Sequence, residues 1–388
     1  MNTTNPQKEW KIPLYKIYSD DEDIRIITKL IKRGTHWAIG PEIEEFENLI
    51  KNYVGCDYCI TLNSGTSALH SSFLAYNLGH GDEIIVPSFS FIATVNSVLF
   101  VDGTPKFCDI ENSTYGLDPE FLSKLISDKT KAIVPMDYGG LPCDILKIKH
   151  IAKENNLTLI QDSAEALGAT INNQKLGTIA DSTIFSFCGN KVLTTGEGGA
   201  VVTNSKDICE KIRMIRSHGR LDKINYFENP SHSNYEGLGY NWRISSFCAA
   251  IGISQIQKLD KLIKLRRENA NYISTRIKKY QEITIPIPPK NHEHVYQMFS
   301  ILLDSKITRD QLHEFLITKR IFSKVYFYPI HLYPYYRKKF GTTPGMLPIT
   351  EDISERILTL PLYPNMTLEE KNYLIDSIAE FFEKSVNN

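Results

Sequence analysis

The 388-residue sequence predicts an α/β protein. Residues 1–255 are expected to form a large domain on a mostly parallel sheet, and residues 256–388 a smaller α+β domain. Three observations predict this. From residue 58 to about 187, strand-length apolar runs alternate with helix-length amphipathic segments, the pattern of repeated β–α units with helices on both faces of a sheet. Lys131–Met136 is apolar without alternation, as a strand covered on both faces is. Beyond about residue 205 the spacing changes to longer helices with isolated strands.

The elements follow in order. Asp20–Arg33 carries Ile24, Ile26, Ile27, Leu30 and Ile31 at helical spacing, and a second helix starts near Pro41 and runs past Ile43, Phe46, Leu49 and Ile50; proline suits a first helical turn. Tyr58–Leu62 reads as a strand, Asn63–Ser67 as a turn, and Ala68–Ala75 as the helix it opens. Strands at Asp82–Pro87, Lys106–Asp109, Lys131–Met136 and Leu157–Asp162 alternate with helices at Ile92–Phe100, 119–127 and Ile145–Asn155. A strand around Ile184–Phe187 enters a glycine-rich turn and leaves through the strand Ala200–Val202. After the helix Ile208–Arg216, residues 217–236 read as a polar, aromatic loop. A single long helix is expected over Ser246–Tyr280, of the kind that bridges two domains, then a proline-rich connection over Ile283–Pro289. A strand at Tyr296–Leu303, a helix at 308–320, a loop at Tyr326–Tyr336 and a helix at about Thr367–Phe382 complete the chain.

Composition narrows the function. A net charge of −1 offers no general attraction for nucleic acid or an anionic membrane. Ile84–Val101, the longest uncharged stretch, contains Pro87, Asn96 and several hydroxyls, too polar for a membrane span. The first residues hold no apolar run, so no secretory signal is read and a soluble, cytoplasmic protein is expected. The seven cysteines are odd in number and scattered, which fits reduced, mostly buried thiols. Cys56 and Cys59 form a C-x-x-C with no second pair at zinc-ligand spacing, and no metal is implied.

The chemistry is concentrated past strand ends. Lys191 sits between a buried strand and Gly196, Gly198 and Gly199; a lysine with apolar neighbours on both sides is a better amine nucleophile than a solvated one. Ser64, Gly65, Thr66 and Ser67 lie where a strand turns into a helix, and a helix N-terminus collects anions such as phosphate. Phe91 and Asp162 also follow strands, and in parallel α/β sheets ligands sit at the carboxyl ends of strands. An imine-forming lysine, an anion turn, a carboxylate for a pyridine nitrogen and a stacking aromatic are the parts that hold pyridoxal 5′-phosphate (PLP). A dinucleotide site would also use an α/β sheet, but no G-x-G-x-x-G follows the first strands.

Five ordered segments carry a family resemblance: Asn63–Leu69, Val86–Phe91, Asp162–Ala166, Phe185–Gly199 and Gly239–Arg243. Together they resemble the DegT/DnrJ/EryC1/StrS family, aminotransferases of the aspartate-aminotransferase-like (type I) fold that use PLP and its amine form to aminate nucleotide-linked keto sugars. The resemblance implies that Lys191 forms the Schiff base and moves the proton, Asp162 pairs with the pyridine nitrogen, and Phe91 stacks on the ring. It implies that Gly65, Thr66, Ser67 and Ser186 hold the phosphate, joined by Asn241 from a partner subunit, hence a homodimer with composite sites. Glu165 stands near the cofactor's 3-oxygen, where many relatives have glutamine. His331 resembles a family position near the sugar nucleotide and equally suits a structural hydrogen bond, and Arg243 suits either a substrate phosphate or the dimer interface.

Within the family, the Gly189–Gly199 segment is most similar to perosamine synthases, which aminate GDP-4-keto-6-deoxy-mannose with L-glutamate; relatives acting on UDP- and dTDP-sugars, at C3 or C4, share most of it. Sugar dehydratases of the same fold carry histidine in place of the lysine, so Lys191 argues against that chemistry. A catalytically silent regulatory paralogue would have no need of Lys191, Asp162 and the phosphate turn together.

Overall fold

The computed structural model describes residues 10–220 and 234–385, so most of the expected 217–236 loop and the first nine residues lie outside the described residues. In chain order the first part contains α1 (Asp21–Arg33), α2 (Pro41–Val54), β1 (Tyr58–Leu62), α3 (Gly65–Ala75), β2 (Glu83–Pro87), α4 (Ile92–Phe100), β3 (Thr104–Cys108), α5 (Pro119–Leu125) and β4 (Thr130–Ile133). There follow α6 (Ile145–Glu154), β5 (Thr158–Asp162), the short β6 (Thr170–Ile171) and β7 (Gln174–Lys175), β8 (Ser182–Ser186), β9 (Gly199–Thr203) and α7 (Lys206–Ile215). The remainder comprises α8 (Ser246–Gln257), α9 (Leu259–Ile277), β10 (Ile283–Thr284), β11 (His292–Glu293), β12 (Phe299–Leu303), α10 (Lys306–Thr318), α11 (Pro334–Phe340), α12 (Pro348–Arg356), β13 (Ile357–Leu360) and α13 (Leu368–Ser385).

The central sheet has seven strands in the order β1-β9-β8-β5-β4-β2-β3. β8, β5, β4, β2 and β3 pair in parallel, and β9 lies antiparallel between β1 and β8. Strand residues alternate between two cores because successive side chains point to opposite faces. Ile85, Ile133, Leu159, Phe185 and Val202 pack with α2, α6 and α8. Ile60, Ile84, Ala132, Ile160, Ile184 and Val201 pack with α3, α4 and α7. Each fully buried aliphatic or aromatic side chain contributes about 1.5–3 kcal/mol, so this two-faced sheet is a rigid base for whatever projects from its ends.

The C-terminal part is α+β, with an antiparallel sheet β10-β12-β13 whose core gathers Ala270, Ile273 and Ile277 of α9, helices α10 and α13, and Ile12 from the start of the chain. We propose a two-domain division near residue 256, with α9 as the bridging helix: its first residues, Leu259 and Ile263, belong to the large core, and its last turns to the small one.

Several expectations change in detail. The helix expected over Ser246–Tyr280 is two helices, α8 and α9, broken at Lys258 (φ −108°, ψ 4°). The apolar period continues through the break, so periodicity gave no sign of it; Lys258 Nζ is tied across to Asp20 and Asp23 at 2.5 and 2.9 Å. The strand expected from Tyr296 begins at Phe299, because Tyr296 takes a left-handed conformation (φ 51°). β4 stops at Ile133, just before Pro135, which has no N–H for a ladder. The expected 326–336 loop contains the helical turn Ile330–Leu332 and the start of α11.

All seven cysteines are free, five of them buried. Burial pushes the Cys56 thiol up to about 11 and Cys59 well above its usual value. Among the described residues no helix is long and apolar enough to cross a membrane.

Candidate active site

The parallel strands β1, β2, β5 and β8 end at one edge of the sheet; Asp162 and Ser186 are the last residues of β5 and β8, and Gly65, Thr66, Ser67, Phe91, Glu165 and Lys191 stand beyond strand ends. After β1, Ser64 is the N-cap of α3: its side chain accepts from the Ser67 backbone N–H at 3.0 Å, while Ser67 Oγ accepts from Ser64 N–H at 3.2 Å. This reciprocal box fixes the turn and leaves the free N–H groups of the first helical turn, with the positive end of the helix dipole, facing outward. Ser67 is buried, and its hydroxyl is 2.7 Å from Asn63 Oδ1 and 2.8 Å from Ser64 O. Its evident work is to set the turn that carries Gly65 and Thr66.

β8 and β9 close around this turn. A Cβ on Gly65 would sit 3.0 Å from Ser186 Cβ, and one on Gly199 would lie 2.4 Å from Ser64 O and 2.7 Å from Gly65 N. The backbones therefore approach as closely as only glycine allows. Ser186 is thereby brought against Gly65, with Thr66 beside it in the first turn of α3, residue types that suit an anion.

After β2, Phe91 takes the N-cap position of α4 with its ring 58% exposed, an apolar face at the mouth of the crevice. Thr94, in the first turn of α4, donates to Asp162 Oδ2 at 2.7 Å, and Ala164 N–H donates to Oδ1 at 3.1 Å. Asp162 is only 3% exposed. Burial pushes its carboxyl above the ordinary value, while Thr94, Ala164 N–H and the charge of Lys191 pull it back.

Lys191 follows the turn beyond β8, its backbone N–H bonded to Cys188 O at 2.9 Å. Its Nζ lies 3.1 Å from Glu165 Oε1 in a largely enclosed ion pair. Glu165 Oε2 in turn accepts from Gly139 N–H at 2.9 Å.

Of the other three candidates, Asn241 meets the turn through its backbone, its carbonyl accepting from Asn63 Nδ2 at 3.5 Å, while Arg243 and His331 share no hydrogen bond or ion pair with this cluster among the described residues. Asn241 is exposed beside the anion turn: Asn63 N–H donates to Trp242 O at 2.8 Å. Arg243 Nη1 donates to Ser217 Oγ at 3.3 Å, and burial together with nearby Arg220 and Arg216 lowers its pKa. His331 is fully buried, with Nδ1 2.7 Å from Ser88 Oγ and Nε2 3.1 Å from Glu351 Oε1. Glu351, as a carboxylate, only accepts, so Nε2 carries the proton and Nδ1 accepts from Ser88. His331 thereby clamps the β2 end that leads to Phe91.

Sequence reading missed Thr94 and Gly139. Neither has a local signature; each is defined by a partner across the sheet, and the only available sign was that Thr94 lies one helical turn after Phe91.

PLP fits these residues. The amide and hydroxyl seat suits a dianionic phosphate, a buried acceptor-only carboxylate suits a protonated pyridine nitrogen, and a nearby amine suits an aldehyde carbon. The exposed Phe91 ring leaves an apolar face uncovered.

Comparison with known proteins shows the family and the fold. The chain is 34% identical over 371 residues to GDP-perosamine synthase of Escherichia coli O157:H7, covering 96% of this chain and 98% of that protein. Among solved structures it resembles Helicobacter pylori PseC, an aminotransferase involved in the biosynthesis of pseudoaminic acid, with TM-score 0.89, 31% identity and coverage of 96% and 99%. It also resembles DesV of S. venezuelae with TM-score 0.87, 27% identity and coverage of 95% and 98%. Residues 18–379 match the DegT/DnrJ/EryC1/StrS aminotransferase family. The chain belongs to that family and is a PLP-dependent sugar aminotransferase.

Proposed function

We propose that the protein transfers the amino group of L-glutamate to a nucleotide-linked 4-keto-6-deoxy sugar, with GDP-4-keto-6-deoxy-D-mannose as the substrate and GDP-perosamine as the product. The chemistry is carried by one observation, the enclosed Lys191–Glu165 pair at the sheet edge, in the same crevice as the buried Asp162. The choice of sugar is supported by the relatedness to GDP-perosamine synthase.

PLP supplies, when bound, the electron sink that transfer of an amino group requires. The chain's residues do the rest. Gly65, Thr66 and Ser186 bind the phosphate through the N-terminus of α3 and the end of β8, on a turn that Ser67 holds in shape. Phe91 covers one face of the ring, and Asp162, oriented by Thr94, holds the pyridine nitrogen protonated. Lys191 Nζ removes the proton from Cα of glutamate, and in the second half-reaction returns a proton at the sugar carbon that receives the amine. Glu165 holds the lysine in place until substrate displaces it. Asn241 reaches the phosphate of the neighbouring copy in a homodimer with composite sites, and Arg243 and His331 serve the sugar-nucleotide side, His331 by clamping Ser88. The reaction takes place in the cytoplasm.

The test is to incubate purified protein with glutamate and GDP-, UDP- and dTDP-linked keto sugars, and to assign the product regiochemistry by NMR. Normal turnover by Lys191→Ala would sink the catalytic assignment. Amination of a UDP- or dTDP-sugar in preference to the GDP-sugar would overturn the substrate.

A further inference from the structure

One buried carboxylate beneath the crevice has no part in the chemistry above. Asp137 lies just past β4 and is fully buried. It accepts from Cys143 N–H at 2.9 Å, from Gln161 Nε2 at 2.9 Å and from the Ser163 hydroxyl. Gln161 and Ser163 flank Asp162 in the chain. The backbone adds two ties: Asp137 N–H donates to Asp162 O at 3.1 Å, and Asp162 N–H to Pro135 O at 2.8 Å. Among the described residues, none of the groups bonded to this carboxylate is a cation.

The same segment then turns through Tyr138–Gly140, where Gly139 (φ 62°) and Gly140 (φ 94°) are left-handed. A Cβ on Gly140 would sit 2.5 Å from Val295 Cγ2 and 2.8 Å from Glu165 O, so the turn can come this close only as glycine. Gly139 N–H holds Glu165 Oε2, and Glu165 Oε1 holds Lys191. The turn is braced from the other side, since Val295 and Met298 N–H donate to Gly140 O and Gly139 O at 3.0 Å each. From that brace Gln297 Nε2 donates to Asn190 O at 2.6 Å, next to the lysine.

We infer that Asp137 is a positioning residue for transamination: its carboxylate locks the end of β5 to the 137–140 turn, and so holds Asp162 and Glu165 in fixed relation to Lys191. The inference rests on the functional reading given above. Only an acceptor satisfies every donor that converges here, which explains a carboxylate at a place where burial opposes its charge. A neutral asparagine has the same shape but turns an NH2 toward donors. Ser163 can reverse its hydroxyl to accommodate it, so Asp137→Asn keeps the fold and loosens the lock.

The experiment compares wild type, Asp137→Asn, Asp137→Ala and Ser163→Ala as holoenzymes. Readouts are kcat and KM for glutamate, the pH midpoint of the cofactor's visible absorbance, and the thermal midpoint. For Asp137→Asn the expected result is a fall in kcat of roughly 10-fold or more with KM for glutamate changed by less than about 3-fold. The absorbance midpoint is expected to move by about half a pH unit or more, without loss of thermal stability. Ser163→Ala shifts the same quantities in the same direction by less. Unchanged kcat and absorbance midpoint in both Asp137→Asn and Ser163→Ala overturn the inference, whatever the thermal midpoint does. If Asp137→Ala fails to fold, those two variants decide. Absence of glutamate turnover in wild type would instead sink the functional reading, and the absorbance midpoint, which needs only bound cofactor, would still decide for or against Asp137.

Discussion

Thr94 offers the sharpest test of the role proposed for Asp162 opposite the pyridine nitrogen. Its hydroxyl has one proton, given to Asp162 Oδ2 at 2.7 Å, so toward Ser90 Oγ, 2.7 Å away, it can only accept, and the Ser90 proton is shared between Thr94 and Met136 Sδ, 3.0 Å away. Thr94→Val keeps the shape and removes both bonds. A hydrogen bond to a charged, buried group contributes about 1.5–3 kcal/mol, roughly a 10- to 100-fold change in an equilibrium. Burial already pushes Asp162 above the ordinary carboxylate value, and Thr94 is the largest influence restraining it. Losing the hydroxyl raises it further and favours the neutral acid, the wrong form to pair with a protonated pyridine nitrogen. PLP affinity should therefore fall about 10- to 100-fold, while Thr94→Ser, which keeps the hydroxyl, stays near wild type. The assay is equilibrium titration of apoprotein with PLP, followed by absorbance, across pH 6 to 9. Wild-type affinity in Thr94→Val, or equal damage in both variants, would refute the argument.

Other outcomes follow from the same geometry. Asp137 has its pKa raised from 3.8 to about 6 by burial, so between those values the folded chain keeps a proton that the unfolded chain releases. Its contribution is fully favourable below about pH 4 and is lost as pH rises through about 6, a change of about 3 kcal/mol. Asp137→Asn should lack that decline and be at least as stable as wild type at pH 7, which thermal midpoints measured from pH 4 to 7 would check; an unchanged pH slope would contradict it. Gly199→Ala places a Cβ 2.4 Å from Ser64 O and 2.5 Å from Ser64 C, and since backbone cannot step aside, PLP affinity should drop by about 10-fold or more. Phe91→Ala removes a ring already 58% exposed, so melting should barely change. PLP binding should weaken by about 2- to 10-fold, the worth of one aromatic stack, and a large melting shift would show the ring to be structural instead.

The residues that name the chemistry were legible because their signals are local. Ser64 and Ser67 form a reciprocal cap whose partners lie three positions apart, and Asp162 and Phe91 are marked by strand ends, Asp162 closing β5 and Phe91 following β2; Ser186, the last residue of β8, was marked by the family resemblance alone. The β–α alternation was equally legible, since a sheet covered on both faces demands apolar strands and a helix between each parallel pair. What holds those residues in place was not. Thr94 meets Asp162 across 68 positions, Gly139 meets Glu165 across 26, and Ser88 meets His331 across 243.

Periodicity also ran straight through the break at Lys258, because that break answers to Asp20 and Asp23 on a distant helix. Side-chain period and turn chemistry are properties of neighbours in the chain, and they determined the architecture and the inventory of the site. Strand order, with β9 inserted antiparallel between β1 and β8, is a property of packing. It alone decided that Gly199 presses on the Ser64–Gly65 turn and that Lys191 pairs with Glu165 while Asp162 answers to Thr94.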